Sequence, residues 1–229
     1  LRNTLLLSLY ELVFAFPASI ILALLLNELR SAMFKRAVQT ITYMPHFISI
    51  VVISGMMVDF LARDGLINNV LSSVFGIEPI AFLQESGWFR TLYISSGIWQ
   101  NIGWGSIIYL SAMSSIDPSL YEAAKVDGAS RWKQTLHITL PGIMPTVIIL
   151  LILQIGNFMT VGTDKILLLY NSTTYETADV IGTFVYRKGI LESDFSYSAA
   201  VGLFNAVINF TLLVLANTIS RRTSETKLW

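Results

Sequence analysis

Residues 122–145 read EAAKVDGASRWKQTLHITLPGIMP, a polar, turn-bearing run between two apolar stretches. Each flanking stretch is long enough to cross a bilayer, which takes about 20 apolar residues as a helix. Asp117-Pro118, just before the run, predicts a helix start, because Asp caps free amides and Pro suits the first turn. Gly128 can adopt the positive φ that ends this helix, and Ser130 can cap a second one. The run therefore predicts a stiff helix–turn–helix joined to the next membrane helix.

The composition places much of the chain in lipid. Of its 229 residues, 54% are hydrophobic and 13% are charged, and mean hydropathy is +0.63. A soluble domain carries about 25% charged residues. The formal net charge is zero, which argues against a nucleic-acid partner. With no cysteine, disulfides, thiol nucleophiles and thiolate metal sites are excluded.

Five apolar segments are long enough to span the membrane. We expect helices, because an unpaired backbone amide in lipid costs several kcal/mol and no alternating pattern suggests a barrel. The predicted spans are residues 4–26, 37–61, 91–113, 142–161 and 197–219. The chain starts at Leu1 and its first span runs inward, so a cytoplasmic N-terminus would require one missing span upstream, six in all.

The placement of basic residues predicts the orientation. With the turn at 27–36 inside, nine Lys and Arg residues fall on the cytoplasmic side and six on the outer side, a modest positive-inside bias. The cytoplasmic set is Arg30, Lys35, Arg36, Lys125, Arg131, Lys133, Arg221, Arg222 and Lys227. This orientation puts residues 122–145 in the cytoplasm. The outer loops, near 62–90 and 162–196, are long enough to hold short helices.

The run at 122–145 resembles the cytoplasmic EAA loop of ABC-importer permeases. The family pattern is E-A-A, then D-G-A, then I-x-L-P and a further Pro. The matching positions are Glu122, Ala123, Ala124, Asp127, Gly128, Ala129, Ile138, Leu140, Pro141 and Pro145. Flanking stretches, such as 43–49 and 198–204, resemble the LplB-like polysaccharide and oligosaccharide permeases of the maltose-type group.

The resemblance implies an all-α membrane protein with the type I ABC-importer permease fold. Residues 1–229 would form one transmembrane domain, and 114–141 the cytoplasmic coupling loop within it. The expected partners are a second related permease, two ATPase subunits, an extracellular solute-binding protein and membrane lipid. ATP and Mg would be bound by the partner ATPase, with no cofactor in this chain. The expected location is the plasma membrane of a prokaryote, as a multi-pass protein.

In the family, the EAA loop docks in a cleft of the ATPase subunit, and its glutamate pairs with a basic residue there. By resemblance, the coupling to the ATPase is assigned to Glu122, Ala123, Ala124, Asp127, Gly128 and Ala129. Glu122 would form the ion pair, Gly128 the turn, and the two alanines would allow close approach.

Amides beside aromatic rings suggest a path for a sugar, which offers hydroxyls for hydrogen bonds and C–H faces for stacking. The candidate residues are Gln100, Asn101, Trp104, Gln154, Asn157, Phe158, Asn205 and Asn209. Asn157 and Asn205 are the preferred pair. The alternative is that these amides hydrogen-bond between helices and only hold the spans together.

Two further polar positions lie in the spans. Glu11 should face protein or a water-filled cavity, because a carboxylate in lipid is costly. It would either contact a hydroxylated substrate or lock neighbouring helices, and its place near the outer end favours the second role. Pro45-His46 predicts a kink in which the histidine is hydrogen-bonded packing, and Gly103 to Gly105 predict close helix packing.

The sequence offers no catalytic or metal site. It contains no phosphate-binding G-x-x-x-x-G-K-[ST] run and no H-E-x-x-H signature. We therefore expect a non-catalytic subunit, with ATP hydrolysis on another polypeptide. The alternatives are an ion-coupled secondary carrier, an intramembrane enzyme using Glu11 and Asp59, or an ABC permease for a solute other than a sugar. The first two leave the 122–145 pattern unexplained.

Overall fold

A computed structural model describes residues 1–223. Lys227 of the cytoplasmic set therefore lies outside the described residues. Every regular element in the described part is a helix, which confirms the all-α prediction. The helices are α1 (Arg2–Glu28), α2 (Ala32–Tyr43), α3 (Ile50–Leu61), α4 (Leu66–Phe75), α5 (Ser86–Ser114), α6 (Pro118–Val126), α7 (Arg131–Gly156), α8 (Thr163–Leu169), α9 (Tyr175–Ala178), α10 (Ile181–Tyr186) and α11 (Phe195–Thr223).

Three helices in the described part are long and apolar enough to cross a membrane. These are α1, α7 and α11, whose most apolar 18-residue stretches have mean hydropathies of 2.2, 2.2 and 2.1. A bent pair, formed by residues 32–47 and 50–75, brings the number to four if it counts as one span. Helix α5 is 29 residues long but less apolar. The prediction of five spans therefore stays a prediction.

The predicted span 37–61 is wrong as a single kinked helix. The chain turns by 99° between Phe47 and Ile50. Pro45 lies in a 3-10 turn that follows α2, and Ser49 then caps α3 by accepting a hydrogen bond from the Val52 amide at 3.3 Å. Because Pro lacks an N–H and Ser49 supplies a new cap, the chain can start a second helix in a new direction.

The predicted span 142–161 is shifted. Helix α7 begins at Arg131, so the second helix of the cytoplasmic segment runs into the membrane without a break, and it ends at Gly156. A π-helical turn at Thr135–Thr139 precedes Pro141. In a regular helix the ring of Pro141 would clash with the carbonyl of residue 137. The wider π-helical turn includes residue 137 and so makes room for the ring.

Helix α5 is the centre of the packing and lies against α1, α2, α7 and α9. One core cluster, at the N-terminal end of α1, includes Leu7, Tyr93 and Ile166, and a second, at the C-terminal end of α1, includes Ala23, Tyr109 and Ile143. By contrast, the most apolar window of α11 has no buried residue. Its side chains include Leu203 and Phe210, which are about two-thirds exposed and available to lipid or to another subunit.

Gly103 and Gly105 allow α5 to approach its neighbours closely, as the sequence predicts. A Cβ atom at Gly103 would collide with the backbone carbonyl of Thr42 in α2. One at Gly105 would lie 2.5 Å from the Ser19 hydroxyl oxygen in α1. The prediction of short helices in the outer loops is also confirmed, by α4 in the first loop and by α8, α9 and α10 in the second.

Candidate functional site

The predicted coupling loop, residues 114–141, called the coupling loop below, folds as its capping residues predict. The Asp117 carboxylate accepts a hydrogen bond from the Ser119 amide at 2.9 Å and begins α6. That bond lowers the pKa of Asp117 below its usual value. Gly128 has φ +73° and ends the turn after α6, and the Ser130 hydroxyl accepts from the Lys133 amide at 3.4 Å to begin α7.

The coupling loop exposes its family-pattern residues. Glu122, Ala123, Asp127 and Gly128 are exposed, and Ala124 and Ala129 are half-buried. Apolar side chains beside them are also uncovered in the isolated chain: Val126 is 89% exposed and Trp132 is 71% exposed. Both side chains are therefore available for contact with another protein.

Two contacts join the coupling loop to α1, and a third joins its two helices to each other. The Arg131 guanidinium pairs with the Glu28 carboxylate at the end of α1, with Nη1 and Oε2 3.2 Å apart. The Thr135 hydroxyl donates to the other oxygen of Glu28 at 3.2 Å. The hydroxyls of Tyr121 and Thr139 lie 2.9 Å apart and join α6 to α7. The loop is therefore anchored at both of its helices.

A cleft of about 460 Å³, here called the central cleft, lies between α1, α5 and α7. Its lining includes Asn101 and Trp104 from α5 and Gln154 and Asn157 at the end of α7. Four of the eight predicted path residues are therefore together. Apolar side chains such as Phe16, Ile108 and Leu153 line the rest. A largely apolar cleft with a few amides and one exposed indole suits a ligand with both hydroxyls and C–H faces.

The break after α2 positions the aromatic part of the central cleft. The imidazole of His46 stacks on the Trp104 indole with ring centroids 4.6 Å apart and planes 4° apart. Its Nδ1 lies 3.0 Å from Oδ1 of Asn101. Gln100 lies outside the central cleft and donates to the carbonyl of Ile48, at 3.3 Å, within the break. His46 therefore supports two cleft residues directly.

The remaining predicted path residues lie outside the central-cleft lining. Asn209 accepts from the Met159 amide at 2.9 Å and donates to the Thr160 hydroxyl at 3.0 Å. Asn205 donates to the Met159 carbonyl at 3.3 Å. Phe158 is half-buried in the same segment, which follows α7. The two asparagines of α11 thus fasten the chain after α7, which is the alternative that the sequence left open for them.

A second cavity of about 280 Å³, here called the outer arm, shares four lining residues with the central cleft: Glu11, Tyr93, Gly97 and Asn101. Gln100, Asp164 and Lys165 line it as well. The Lys165 ammonium donates to the Tyr93 carbonyl at 3.0 Å and lies 4.8 Å from the centroid of that ring. Burial lowers the pKa of Lys165 to about 8, and the negative charge of Glu11 offsets only part of that effect.

The predicted path residues did not include Tyr93 or Glu11, although contact with a hydroxylated substrate was the less favoured of the two roles expected for Glu11. A signal for them was present in the helical spacing. Glu11, Ala15 and Ser19 recur every four residues and form one face of α1, and all three line the central cleft. On α5 the corresponding face carries Gly97, Asn101 and Gly105, again four residues apart. The four-residue repeat of polar and small residues on α1 and the matching repeat on α5 could have indicated that these two helix faces line one cavity.

Comparison with known proteins agrees with this architecture. Residues 15–225 match the family described as "Binding-protein-dependent transport system inner membrane component". The chain belongs to this family. It is 46% identical to the protein LplB of Bacillus subtilis (strain 168) over 223 residues, which cover 97% of this chain and 70% of that protein. It is 47% identical to the polygalacturonan/rhamnogalacturonan transport system permease protein YteP of the same strain over 225 residues, 98% of this chain and 70% of YteP.

A solved structure is also similar over the whole chain. It is the crystal structure of a bacterial alginate ABC transporter in complex with an alginate pentasaccharide-bound periplasmic protein. The TM-score is 0.97 at 48% identity, and the match covers 100% of this chain and 79% of that one. The fold is therefore that of an ABC-importer permease, and this family member is a multi-pass membrane protein.

Proposed function

We propose that this chain is one of two related permeases in an ATP-driven importer of oligosaccharides or polysaccharide fragments. Its relatives support the substrate class, since YteP is named for polygalacturonan and rhamnogalacturonan and the similar structure is an alginate transporter. Two ATPase subunits would bind ATP and Mg, an extracellular binding protein would deliver the sugar, and this chain would catalyse no reaction. The family assignment leaves the ion-coupled carrier without support.

The continuity of α7 is the observation that carries this proposal. The helix begins at Arg131 in the coupling loop and ends at Gly156, beside the cleft residues Gln154 and Asn157. Its 26 residues correspond to a rod about 39 Å long. A rigid rod transmits a displacement of one end to the other. A movement of the coupling loop would therefore change the lining of the central cleft.

The proposed mechanism is alternating access. Closure of the ATPase dimer around ATP would draw the coupling loops of the two permeases together. Because Arg131 and Thr135 both contact Glu28, α1 would move with the start of α7. The central cleft between these helices would then open toward the binding protein. Hydrolysis and release of the ATPase dimer would return it to the inward-facing form.

The first test concerns coupling. In the reconstituted importer, Glu122→Ala is expected to reduce substrate-stimulated ATP hydrolysis and uptake about tenfold or more, because a charge-assisted hydrogen bond contributes roughly 1.5–3 kcal/mol. The exposed position of Glu122 predicts little effect on folding. Glu122→Gln should lose nearly as much, since the charge and not the size forms the contact. Near-normal uptake by the alanine variant would contradict the coupling role.

The second test concerns the path. Asn157→Ala is expected to slow sugar uptake several-fold and to leave basal ATP hydrolysis nearly intact, because one hydrogen bond to a sugar hydroxyl contributes about 0.5–1.5 kcal/mol. Asn157 is exposed to the central cleft, and its amide nitrogen donates only to Leu153 of its own helix among the described residues.

Asn205→Ala serves as the matched control for that test. It removes the same side chain from outside the cleft, so it should weaken the thermal stability of the complex and leave the apparent affinity for sugar unchanged. The substrate role of Asn157 would be wrong if its alanine variant failed in assembly as well. Unchanged uptake would place the path elsewhere or in the partner permease.

A further inference from the structure

The outer arm carries more charged side chains than the central cleft, in whose lining Glu11 is the one charged residue that the structure describes. Its charged side chains, among the described residues that line either cavity, are the carboxylates of Glu11 and Asp164 and the ammonium of Lys165. Two negative charges therefore face one positive charge. No arginine contributes to this lining. Any sugar that passes from the outer arm into the central cleft must pass the Glu11 carboxylate, because that residue lines both.

The backbone of α1 is irregular at Glu11. A π-helical turn begins there and extends through Ala15, so the helix widens at the residue that lines both cavities. Single π-helical turns inside α-helices are frequent at functional sites because they re-aim side chains. The Glu11 carboxylate faces the Tyr93 hydroxyl, and it forms no ion pair within 4 Å with any residue from 1 to 223. The Tyr93 hydroxyl is its hydrogen-bond partner. A carboxylate has further acceptor positions on its two oxygens, and because Glu11 lines both cavities these can accept from a ligand there.

The positive charge of Lys165 is already engaged. Its side chain is 6% exposed, its ammonium donates to the Tyr93 carbonyl, and the ring of Tyr93 lies beneath it. Lys165 also attracts the Glu11 carboxylate and offsets part of its negative charge. Asp164, its neighbour in the chain, is exposed and lines the same arm. The charge presented to a ligand is consequently negative.

We propose that Glu11 is a substrate-contacting, charge-selecting residue, which accepts hydrogen bonds from the hydroxyls of an uncharged sugar unit and disfavours a uronate. This inference rests on the proposed saccharide substrate and adds its charge class. A carboxylate accepts hydrogen bonds from two neighbouring hydroxyls, one at each oxygen. It repels the carboxylate of a uronic acid, and repulsion in a cleft with apolar walls is stronger than in bulk water. The chain would then prefer neutral oligosaccharides, although its relatives are named for acidic ones.

The experiment compares two sugars that differ only at C6, in its oxidation state and charge. The probes are α-1,4-linked galactotriose and trigalacturonate, which carry a hydroxymethyl group and a carboxylate at C6. Their dissociation constants are measured by saturation-transfer NMR on the assembled importer in nanodiscs, without the binding protein. The wild type should prefer galactotriose. The E11Q variant should shift the ratio of the two constants toward trigalacturonate by about tenfold, and salt should reduce this shift.

Two further variants make the result decisive. Glu78→Gln makes the same change at an exposed outer-loop position outside both cavities, and its ratio should equal that of the wild type. Asp164→Asn removes charge at the exposed rim of the outer arm and should shift the ratio in the same direction by about threefold, even if E11Q weakens assembly. If neither variant shifts the ratio while both sugars bind, the charge-selecting role is overturned. If the wild type binds neither sugar, the proposed saccharide substrate itself fails.

Discussion

Gly128→Val is expected to reduce substrate-stimulated ATP hydrolysis by the assembled importer to near its basal level, while the chain remains inserted in the membrane. Gly128 has φ +73°, a backbone conformation that β-branched residues resist. Holding such a residue there costs roughly 1–3 kcal/mol. The turn would relax instead, and the angle between α6 and α7 would change. Since α7 continues to the central cleft, a movement of α6 would no longer be transmitted to the lining of the cleft.

The cause of this loss can be separated from simple crowding. A Cβ atom at Gly128 would meet no heavy atom within 4 Å, so the backbone angle alone opposes the substitution. Gly128→Asn is therefore the matched control, because Asn tolerates positive φ better than other residues do. It should retain most of the stimulated activity. Equal loss in the Val and Asn variants would show that the turn conformation is not what couples the subunits.

The local features of the coupling loop were predictable because they depend on neighbours in sequence. Asp117 and Ser130 bond to amides two and three residues away, and Gly128 turns the chain at its own position. No distant part of the chain is needed for any of these contacts. The rigid connection of the loop to the next span was also predicted, whereas the π-helical turn before Pro141 and the end of α7 at Gly156 were not.

The cleft was only partly predictable because its lining depends on which helix faces meet. Sequence chemistry identified the amides but not their partners. Asn101 and Asn157 face the central cleft, whereas Asn209, of the same residue type, bonds to the backbone of Met159, 50 residues away in the chain. The 99° turn at residues 47–50 was also not predictable from the local sequence alone. Pro45 permits either a kink or a break, and the contact of Gln100 with Ile48, from another helix, accompanies the break.

Gly103→Ala is expected to prevent assembly of the complex or to lower its thermal stability severely. A Cβ atom at Gly103 would collide with the carbonyl of Thr42 and lie 2.9 Å from the ring of Tyr43. Backbone cannot move aside as a flexible side chain can, so α2 and α5 would have to separate. Overpacking of a filled site costs typically 1–3 kcal/mol, and a backbone contact belongs at the upper end. Separation would also break the His46–Asn101 and Gln100–Ile48 contacts that shape the central cleft.

Gly55→Ala provides the matched control for this substitution. Gly55 lies inside α3, and a Cβ atom there would meet no heavy atom within 4 Å. Alanine favours a helix over glycine by roughly 1 kcal/mol, so this variant should be as stable as the wild type or slightly more so. Size-exclusion chromatography and thermal unfolding of the detergent-solubilised complex measure both variants. If Gly103→Ala assembled with wild-type stability, α2 and α5 would not be in the close contact from which the aromatic wall of the cleft is built.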